Sequence, residues 1–438
     1  MVTVTDEVVG IRNKVRNSVM HELDMTDEIR DEDVSSLIDR CIIREMAGEY
    51  IPLKEKLSLK SEIFNSIRRM DVLSDLLQDD EITEIMINGY ENIFIEREGR
   101  LERYPKSFED PERLTNIIRQ MVSEANRTVN ETNPIVDAVL SDGSRINVVL
   151  SGVSRDGSSV TIRKFPKKKY SMDRLVEMES VSREAADFLG LLVRAGYNIF
   201  ISGGTGSGKT TFLNALTEYI PSDERVVTIE DSAELCLTGV ENLIRLETRN
   251  ANVEGSNEIT IRDLIKCSLR MRPDRIVVGE VRDSAAVDMI QAMCTGHDGS
   301  LSTGHANTAK DMLMRLEMMM LMGSDRIPLS AIRRQITAGI DIVVHLGRLR
   351  DKTRRVLEII EVTGMREDEI LTNTLYSFVE TGEEKGKVRG GLRKKNDLLN
   401  ISKLCEAGLI SIVRENSGWD DKSTEEIKES YESVGLIK

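Results

Sequence analysis

Hydrophobic and polar residues alternate along the chain in successive patterns, and each pattern predicts a different kind of structure. Up to about Ile63, apolar residues recur at helical spacing among many charges, as in VSSLIDRCIIREM, which predicts amphipathic helices. From about Met70, short alternating segments predict strands, and the run PERLTNIIRQMVSEA predicts one helix that begins at Pro111. We interpret residues 1–69 as an N-terminal helical appendage and residues 70–165 as a small α+β domain.

The second half of the chain carries apolar runs that are separated by helix-like segments. The basic stretch RKFPKKKYSMDRL interrupts the periodicity and predicts a linker at residues 166–179. After it, strand-like runs such as YNIFIS, RVVTIE and DRIVVGE alternate with helices, which predicts an α/β domain with a mostly parallel sheet at residues 180–382. The segment EEKGKVRGGLRKKND then predicts an exposed or disordered spacer, and residues 383–438 are interpreted as a C-terminal tail.

Composition limits the partners that the protein is expected to bind. The 438 residues include 60 Lys and Arg against 75 Asp and Glu, a net charge of -15, which argues against broad electrostatic capture of nucleic acid, although it leaves room for a local basic groove. There is no run of about 18 apolar residues and no start typical of a signal peptide, so a cytoplasmic protein is expected. The five cysteines form no CxxC pair, which argues against a zinc site or a disulfide framework.

A glycine-rich loop lies between the strand-like run YNIFIS and a helix-like run. Its sequence, GGTGSGKT, matches the pattern G-x-x-x-x-G-K-[ST], in which backbone N–H groups surround phosphates at the positive end of the following helix. Lys209 is expected to reach the β- and γ-phosphates, and the Thr210 hydroxyl is expected to ligate Mg²⁺. ATP and Mg²⁺ are therefore the predicted cofactors. The predicted nucleotide-binding residues are Gly203, Gly204, Thr205, Gly206, Ser207, Gly208, Lys209, Thr210 and Thr211.

Two acidic strand ends are expected to complete a site for phosphoryl transfer. Glu280 follows the apolar run DRIVVG, and we predict that it holds Mg²⁺ through water; the alternative is a surface ion pair with Arg282. Glu230 ends the run RVVTIE, where a carboxylate can polarise the attacking water. For Glu230 and the neighbouring Asp231, the alternative role is the capping of a helix or turn.

One histidine is a candidate for contact with the γ-phosphate. His305 comes directly after the strand-like run GSLSTG. If that strand neighbours the one that precedes Glu280, the imidazole can hydrogen-bond a phosphate or a carboxylate and report hydrolysis. A purely structural histidine is the alternative.

Four motifs occur in series: GGTGSGKT, TIEDSAEL, LRMRPDRIVVGEVRD and GHDGSLSTGHANTA. They resemble the Walker A motif, Asp box, atypical Walker B motif with glutamate and His box of the type II/type IV secretion ATPase superfamily, over roughly residues 70–365. The resemblance implies a RecA-like P-loop ATPase domain within a homo-hexameric cytoplasmic ring. It also implies that the ring lies peripherally at the membrane, where its ATP cycle drives the inner-membrane platform protein of a pilus or secretion apparatus.

A longer segment bears on the branch of this superfamily. The sequence DAVLSDGSRINVVLSGVSRDGSSVTIRKF is similar to the N-terminal domain of the tight-adherence (Flp) pilus ATPases, and the chain lacks the tetracysteine module common in pilus-extension and type II secretion ATPases. We favour the Flp branch, with a conjugation or DNA-linked ATPase and a nucleotide-gated scaffold of negligible turnover as alternatives. The resemblance places Arg145 and Arg163 at the family's nucleotide-contacting arginines, with Arg155 a weaker candidate. Strand arginines on a solvated face are the alternative.

Overall fold

Two compact units make up the protein, Met1–Lys167 and Lys168–Lys438. The structure is a computed structural model, and it describes residues 14–16, 18–19, 21–22, 31–46, 53–68, 70–97, 99–165, 170–249, 258–323 and 327–409.

The first unit is built on an antiparallel sheet. Its helices and strands are α1 (Asp31–Glu45), α2 (Leu53–Arg68), α3 (Val72–Gln78), β1 (Ile82–Asn88), β2 (Asn92–Arg97), β3 (Arg100–Arg103), α4 (Pro111–Glu124), β4 (Ile135–Val139), β5 (Arg145–Val149) and β6 (Ser159–Arg163). The six strands pair in the order β3-β2-β1-β6-β5-β4. Helix α4 begins at Pro111 as predicted, because the Asp110 side chain accepts the Arg113 N–H at 2.7 Å and so caps the first turn.

The second unit is built on a larger mixed sheet. Its helices and strands are α5 (Met172–Glu177), α6 (Arg183–Arg194), β7 (Ile199–Gly203), α7 (Lys209–Thr217), β8 (Arg225–Glu230), β9 (Asn242–Glu247), α8 (Ile261–Ser268), β10 (Arg275–Val278), α9 (Ala285–Met293), β11 (Leu301–Gly304), α10 (Ala309–Gly323), α11 (Leu329–Gly339), β12 (Ile342–Arg348), β13 (Arg354–Arg366), β14 (Glu369–Glu384), β15 (Lys387–Lys394) and α12 (Ser402–Glu406).

The nine strands of this sheet lie in the order β15-β14-β13-β12-β7-β11-β10-β8-β9. Strands β12, β7, β11, β10, β8 and β9 pair in parallel, and β13, β14 and β15 extend the sheet in antiparallel pairs. Ile199 and Ile201 of β7 belong to the hydrophobic core on one face, and Phe200 belongs to the core on the other. Helices therefore cover both faces, and the predicted α/β fold class is confirmed.

The expected spacer after Gly382 is wrong, and so is the domain boundary at residue 382. That boundary falls inside β14, and the basic segment that follows it forms β15. A tight turn at Lys385 and Gly386, both with positive φ (51° and 73°), joins the two strands. Val388 and Leu392 are the buried residues of β15, so this segment of the sequence carries too few apolar positions to reveal a strand.

The segment after β15 is attached to the sheet by a buried carboxylate. Glu361 of β13 is 1% exposed and accepts the backbone N–H of Leu399 at 3.0 Å and of Asn400 at 2.6 Å. The Asn373 amide donates to the same carboxylate at 3.1 Å. Burial raises the pKa of the Glu361 carboxyl above its usual range, against the effect of these hydrogen bonds. Part of the predicted tail is thus an integral piece of the second unit.

Replacing Glu361 with alanine is expected to destabilise the second unit by about 3 kcal/mol, because three partly buried donors lose a charged acceptor. The melting temperature should fall by roughly 6 °C or more. Glu361→Gln keeps one acceptor oxygen and should cost less, and Glu369→Ala, an exposed change in the same sheet, serves as the control. Equal melting temperatures for Glu361→Ala and Glu369→Ala would contradict this anchoring role.

The linker prediction is partly wrong. Residues 166–169 lie outside the described residues, but residues 172–177 form helix α5 instead of a loop. The Ser171 hydroxyl caps this helix by accepting the Arg174 N–H at 3.2 Å, and Met172 and Leu175 are buried in the core of the second unit. The basic run directly before it obscures this short helix in the sequence.

Candidate functional site

The predicted site residues of the second unit lie at one edge of its sheet. Strands β7, β8, β10 and β11 end at or shortly before Gly203, Glu230, Glu280 and His305, respectively. These four strands are parallel neighbours in the order β7-β11-β10-β8, so their carboxyl ends meet at the same edge. Crevices at this edge are where open α/β sheets bind their ligands. Strand β11 does neighbour β10, which is the condition on which the His305 prediction depended.

The glycine-rich loop follows β7 and leads directly into α7. Gly203 packs so closely that a Cβ atom there would lie 2.5 Å from both the Leu346 carbonyl oxygen and the Ser207 Oγ atom. Gly208 precedes the helix with a φ of 93°, a conformation that favours glycine. The shape of the loop therefore requires glycine at positions 203 and 208, and the loop leads into the N-terminus of α7.

Lys209 extends back along the loop and is 8% exposed. Its Nζ donates to the carbonyl oxygens of Gly203 and Gly204, both at 3.1 Å, and lies 3.3 Å from Nδ1 of His305. These contacts place the ammonium group at the mouth of the loop, beside the strand ends that carry the other predicted residues.

His305 connects Lys209 to Glu280. Its Nε2 lies 3.0 Å from Oε1 of Glu280, while its Nδ1 faces the ammonium group. Burial and the nearby Lys209 charge lower the pKa of His305, against the effect of Glu280, so the ring is neutral near pH 7. Only the tautomer with hydrogen on Nε2 satisfies both contacts, because the ring then accepts from Lys209 and donates to Glu280.

Glu280 also binds an arginine on its other side. Its Oε2 accepts from Nη2 of Arg282 at 2.7 Å, and Nη1 of Arg282 lies 3.4 Å from Asp231. Burial raises the pKa of the Glu280 carboxyl, but the Arg282 hydrogen bond and the surrounding cations outweigh it, so the pKa lies below its usual range. Glu280 is therefore ionised, and the ion pair with Arg282 that formed the alternative interpretation is present beside the His305 contact.

Glu230 lies at the end of β8 and is 5% exposed. Its Oε1 accepts the backbone N–H groups of Glu234 at 2.9 Å and Leu235 at 2.8 Å. The carboxylate thus organises the loop after β8, which is the turn-capping role that we considered as the alternative. Both hydrogen bonds are made to the same oxygen of the carboxylate.

The donor set fits a magnesium ion that arrives with phosphate. Thr210 and Glu280 supply one hydroxyl and one carboxylate, and Mg²⁺ at such sites completes its shell with phosphate oxygens and water. Over the part of the chain that the structure describes, no three His, Cys, Asp or Glu side chains are grouped so that they could hold a metal ion.

The arginines of the first unit face each other across two strands. Arg145 of β5 and Arg163 of β6 are direct register partners, and Glu84 is the partner of Arg163 on the other side. Residues opposite each other in an antiparallel pair point to the same face, where two like charges are destabilising. The two arginines and Glu84 therefore share one face of the sheet, with Arg163 between a like and an opposite charge, whereas Arg155 lies in the turn between β5 and β6.

Sequence reasoning missed one residue at the glycine-rich loop. Nε of Arg354, the first residue of β13, donates to the Gly206 carbonyl oxygen at 2.9 Å. No local motif marks this arginine, because its contact depends on the pairing of β12 with β7 in the sheet.

Comparison with known proteins shows the family of the chain. Residues 68–426 match the family model described as type II/IV secretion system protein. The conjugal transfer protein TrbB of Rhizobium radiobacter is 33% identical over 314 residues, which cover 71% of this chain and 92% of the relative. The type IV secretion system protein VirB11 of Brucella suis is 32% identical over 303 residues, which cover 63% of this chain and 84% of the relative.

A solved structure also matches the chain. It is the crystal structure of the VirB11 ATPase from the Brucella suis type IV secretion system in complex with sulphate, with 29% identity and a TM-score of 0.36. The match covers 66% of this chain and 94% of that chain.

None of the helices in the described ranges is both long enough and apolar enough to span a bilayer.

Proposed function

Because this chain belongs to the type II/IV secretion system protein family, we propose that it binds Mg²⁺–ATP at the loop of residues 203–210 and hydrolyses it to power a secretion or pilus-assembly machine. The observation that carries the proposal is the meeting of Lys209, His305 and Glu280 at the carboxyl edge of the parallel strands. A cation, an imidazole and a carboxylate beside a glycine-rich loop are suited to a γ-phosphate and its Mg²⁺.

The contacts of Lys209 support its role in binding phosphate. Its ammonium group is held by the carbonyls of Gly203 and Gly204 at the mouth of the loop. Phosphate oxygens carry more negative charge than carbonyl oxygens, so they replace these partners when nucleotide binds. The loop N–H groups and the N-terminus of α7 add further donors for the phosphates, and the residues from Gly203 to Thr211 hold the nucleotide.

Mg²⁺ supplies charge neutralisation and orients the phosphates when it is bound. Thr210 would hold it through the hydroxyl, and Glu280 would hold its shell through water. The ionised state of Glu280 suits this role, and Arg282 fixes the direction of the carboxylate. His305, neutral and placed between Lys209 and Glu280, donates to the carboxylate and lies where it senses the loss of the γ-phosphate.

We propose Glu230 as the residue that polarises the attacking water. Glu230→Gln keeps a carbonyl oxygen for the N–H groups of Glu234 and Leu235 but loses basicity, so the loop should hold its shape. ATP binding should persist while hydrolysis falls by about 10²- to 10⁴-fold. Glu247→Gln is the matched control, because Glu247 is exposed and is the register partner of Glu230 on the next strand.

Steady-state hydrolysis and equilibrium binding of a fluorescent ATP analogue would check this expectation. Full activity in Glu230→Gln would remove the residue from catalysis. A loss of binding equal to the loss of hydrolysis would show that Glu230 is needed for the shape of the site and not for water activation.

The finer assignment that we propose is a homo-hexamer of the Flp pilus branch, peripheral at the inner face of the membrane and acting on an inner-membrane platform protein. The similarity of the segment from Asp137 to Phe165 to the Flp pilus ATPases supports the branch.

The paired cations Arg145 and Arg163 support a ring, because a transition state completed by a neighbouring subunit needs arginines from outside the glycine-rich loop. Light scattering with and without Mg²⁺–ATP tests the hexamer, and a strict monomer at all concentrations would exclude it.

A conjugal or DNA-linked motor is the second candidate, and the name of one relative, conjugal transfer protein TrbB, favours it. The net charge of -15 weighs against broad DNA binding. Two measurements separate the candidates: DNA binding at rising salt, and ATPase rate with and without a polytopic platform protein in vesicles. Salt-sensitive DNA binding with no response to the platform protein would favour conjugation.

A further inference from the structure

We propose that Arg354 is a positioning residue that holds the glycine-rich loop in its binding shape, and that the C-terminal hairpin holds Arg354 in place. The first observation is the hydrogen bond from Nε of Arg354 to the Gly206 carbonyl at 2.9 Å. The second is packing: a Cβ atom on Gly208 would lie 3.5 Å from Cδ of Arg354. The arginine side chain therefore lies along the loop from Gly206 to Gly208. The effect that we expect on nucleotide binding rests on the proposed function of this loop.

The hydrogen bond fixes more than one carbonyl group. The Gly206 carbonyl and the Ser207 N–H belong to one planar trans peptide, so they point in opposite directions. When Arg354 holds the carbonyl toward β13, the Ser207 N–H is turned to the other side of the peptide. There it donates across the loop to the Gly204 carbonyl at 3.3 Å. Arg354 thus sets the direction of the Ser207 N–H group and supports the hydrogen bond to Gly204 that closes the turn of the loop.

The turn that precedes Arg354 is itself fixed. Thr353 donates its N–H and its hydroxyl to Oδ1 of Asp351, at 3.0 and 2.6 Å. Leu349 and Thr353 close the turn with a backbone hydrogen bond of 2.8 Å. Strand β12, which leads into the turn, pairs with β7, and Leu346 is the register partner of Gly203. The start of β13 is therefore held beside the loop by the sheet.

The hairpin of β14 and β15 binds two residues of the same turn, Arg350 and Asp351. Arg350 donates to both oxygens of Glu380, at 2.8 and 2.7 Å, and to Glu383 at 2.9 Å. Oδ2 of Asp351 accepts the backbone N–H of Val388 at 2.8 Å. A bidentate arginine pair is geometrically specific, so a shift of the hairpin shifts the turn and Arg354 with it. The hairpin is thus connected to the glycine-rich loop through the turn and Arg354.

The test uses two neutral side chains of similar length. Glutamine carries an amide nitrogen on Cδ, where arginine carries Nε, so Arg354→Gln keeps a donor for Gly206, whereas Arg354→Met removes it. In nucleotide-free protein, amide hydrogen exchange of the loop segment should be about tenfold faster in Arg354→Met than in the wild type, and close to wild type in Arg354→Gln. Arg366→Met, at the exposed far end of β13, is the control. Equal exchange in Arg354→Gln and Arg354→Met would overturn the proposal.

Nucleotide binding provides the second measurement on the same variants. Arg354→Met should raise the dissociation constant for Mg²⁺–ATP about tenfold, with a smaller change in kcat, while Arg354→Gln stays near wild type. A fall in kcat with unchanged affinity would overturn the positioning role in favour of a catalytic one. Wild-type protein that binds no ATP would refute the proposed function, whereas the exchange experiment would still decide the role of Arg354.

Arg350→Ala tests the link to the hairpin. It should speed exchange of the loop segment in the same direction as Arg354→Met but to a smaller extent, because the turn loses its grip while the Gly206 hydrogen bond can still form. Combined with Arg354→Met it should add little, since both changes act through one contact. Additive effects of the two substitutions would contradict the link.

Discussion

Replacing Lys209 with alanine is expected to reduce ATP hydrolysis by at least about a hundredfold, the cost of removing one essential donor from a phosphoryl-transfer or oxyanion site. The ammonium group lies 3.1 Å from two loop carbonyls and 3.3 Å from His305, so its charge lies at the loop where the phosphates are expected to bind. ATP binding should weaken as well, because Lys209 contacts the phosphates in the ground state. Phosphate release and analogue binding measure the two effects.

The control for this substitution is Lys395→Ala, which removes an exposed lysine of the same unit and changes the net charge equally. Thermal unfolding should show both variants folded. Hydrolysis that survives in Lys209→Ala would exclude the loop of residues 203–210 as the catalytic nucleotide site. Normal ATP affinity with lost hydrolysis would confine the role of Lys209 to the transition state.

Arg145→Ala and Arg163→Ala are each expected to cut turnover by about 10³-fold or more, the range for arginines that neutralise transition-state charge. The two side chains are cross-strand partners, and like charges at such positions destabilise a sheet. Arg163 also faces Glu84, so its replacement removes an attraction together with the repulsion, and both substitutions should leave the melting temperature of the protein nearly unchanged. Arg100→Ala is the matched control, because Arg100 is an exposed strand arginine of the same sheet.

A mixing experiment tests whether these arginines act on a neighbouring subunit. Subunits that lack Arg145 and Arg163 are combined with subunits that lack Lys209, each inactive alone. If the arginines act in trans, some interfaces of the mixed ring pair an intact loop with intact arginines, and part of the activity returns. The same test is made in a tandem dimer, in which two subunits are joined in one chain. If no activity returns in the tandem dimer or in rings shown to be mixed, action in trans is contradicted.

The carboxyl edge of the parallel strands was predictable as a candidate site because its residues belong to contiguous motifs with local physical meaning. Glycines before Lys209 mark a loop that bends sharply, and an apolar run that ends in Glu280 marks a buried strand with a polar end. Whether His305 reaches Glu280 was conditional on the order of strands, which the local pattern does not contain. The pairing of β11 with β10 met that condition.

The hairpin of β14 and β15 and the buried Glu361 were not predictable for a related reason. Strand β15 has few apolar positions and therefore looks like a solvated loop in the sequence, since much of its stabilisation comes from backbone pairing with β14. Glu361 lies in a strand pattern where a charge predicts exposure, yet it is buried because backbone N–H groups from residues 399 and 400 surround it.

The sequence by itself determined the α/β class and the glycine-rich loop, and it singled out Lys209, Glu230, Glu280 and His305 as candidate site residues. Periodicity and motif spacing suffice for this because they are local properties of a chain. Only the tertiary structure decided which of these side chains touch, the protonation and tautomer of His305, and the contact of Arg354 with the loop. Those features depend on strand order and on the burial of charge, and both arise when segments distant in sequence pack together.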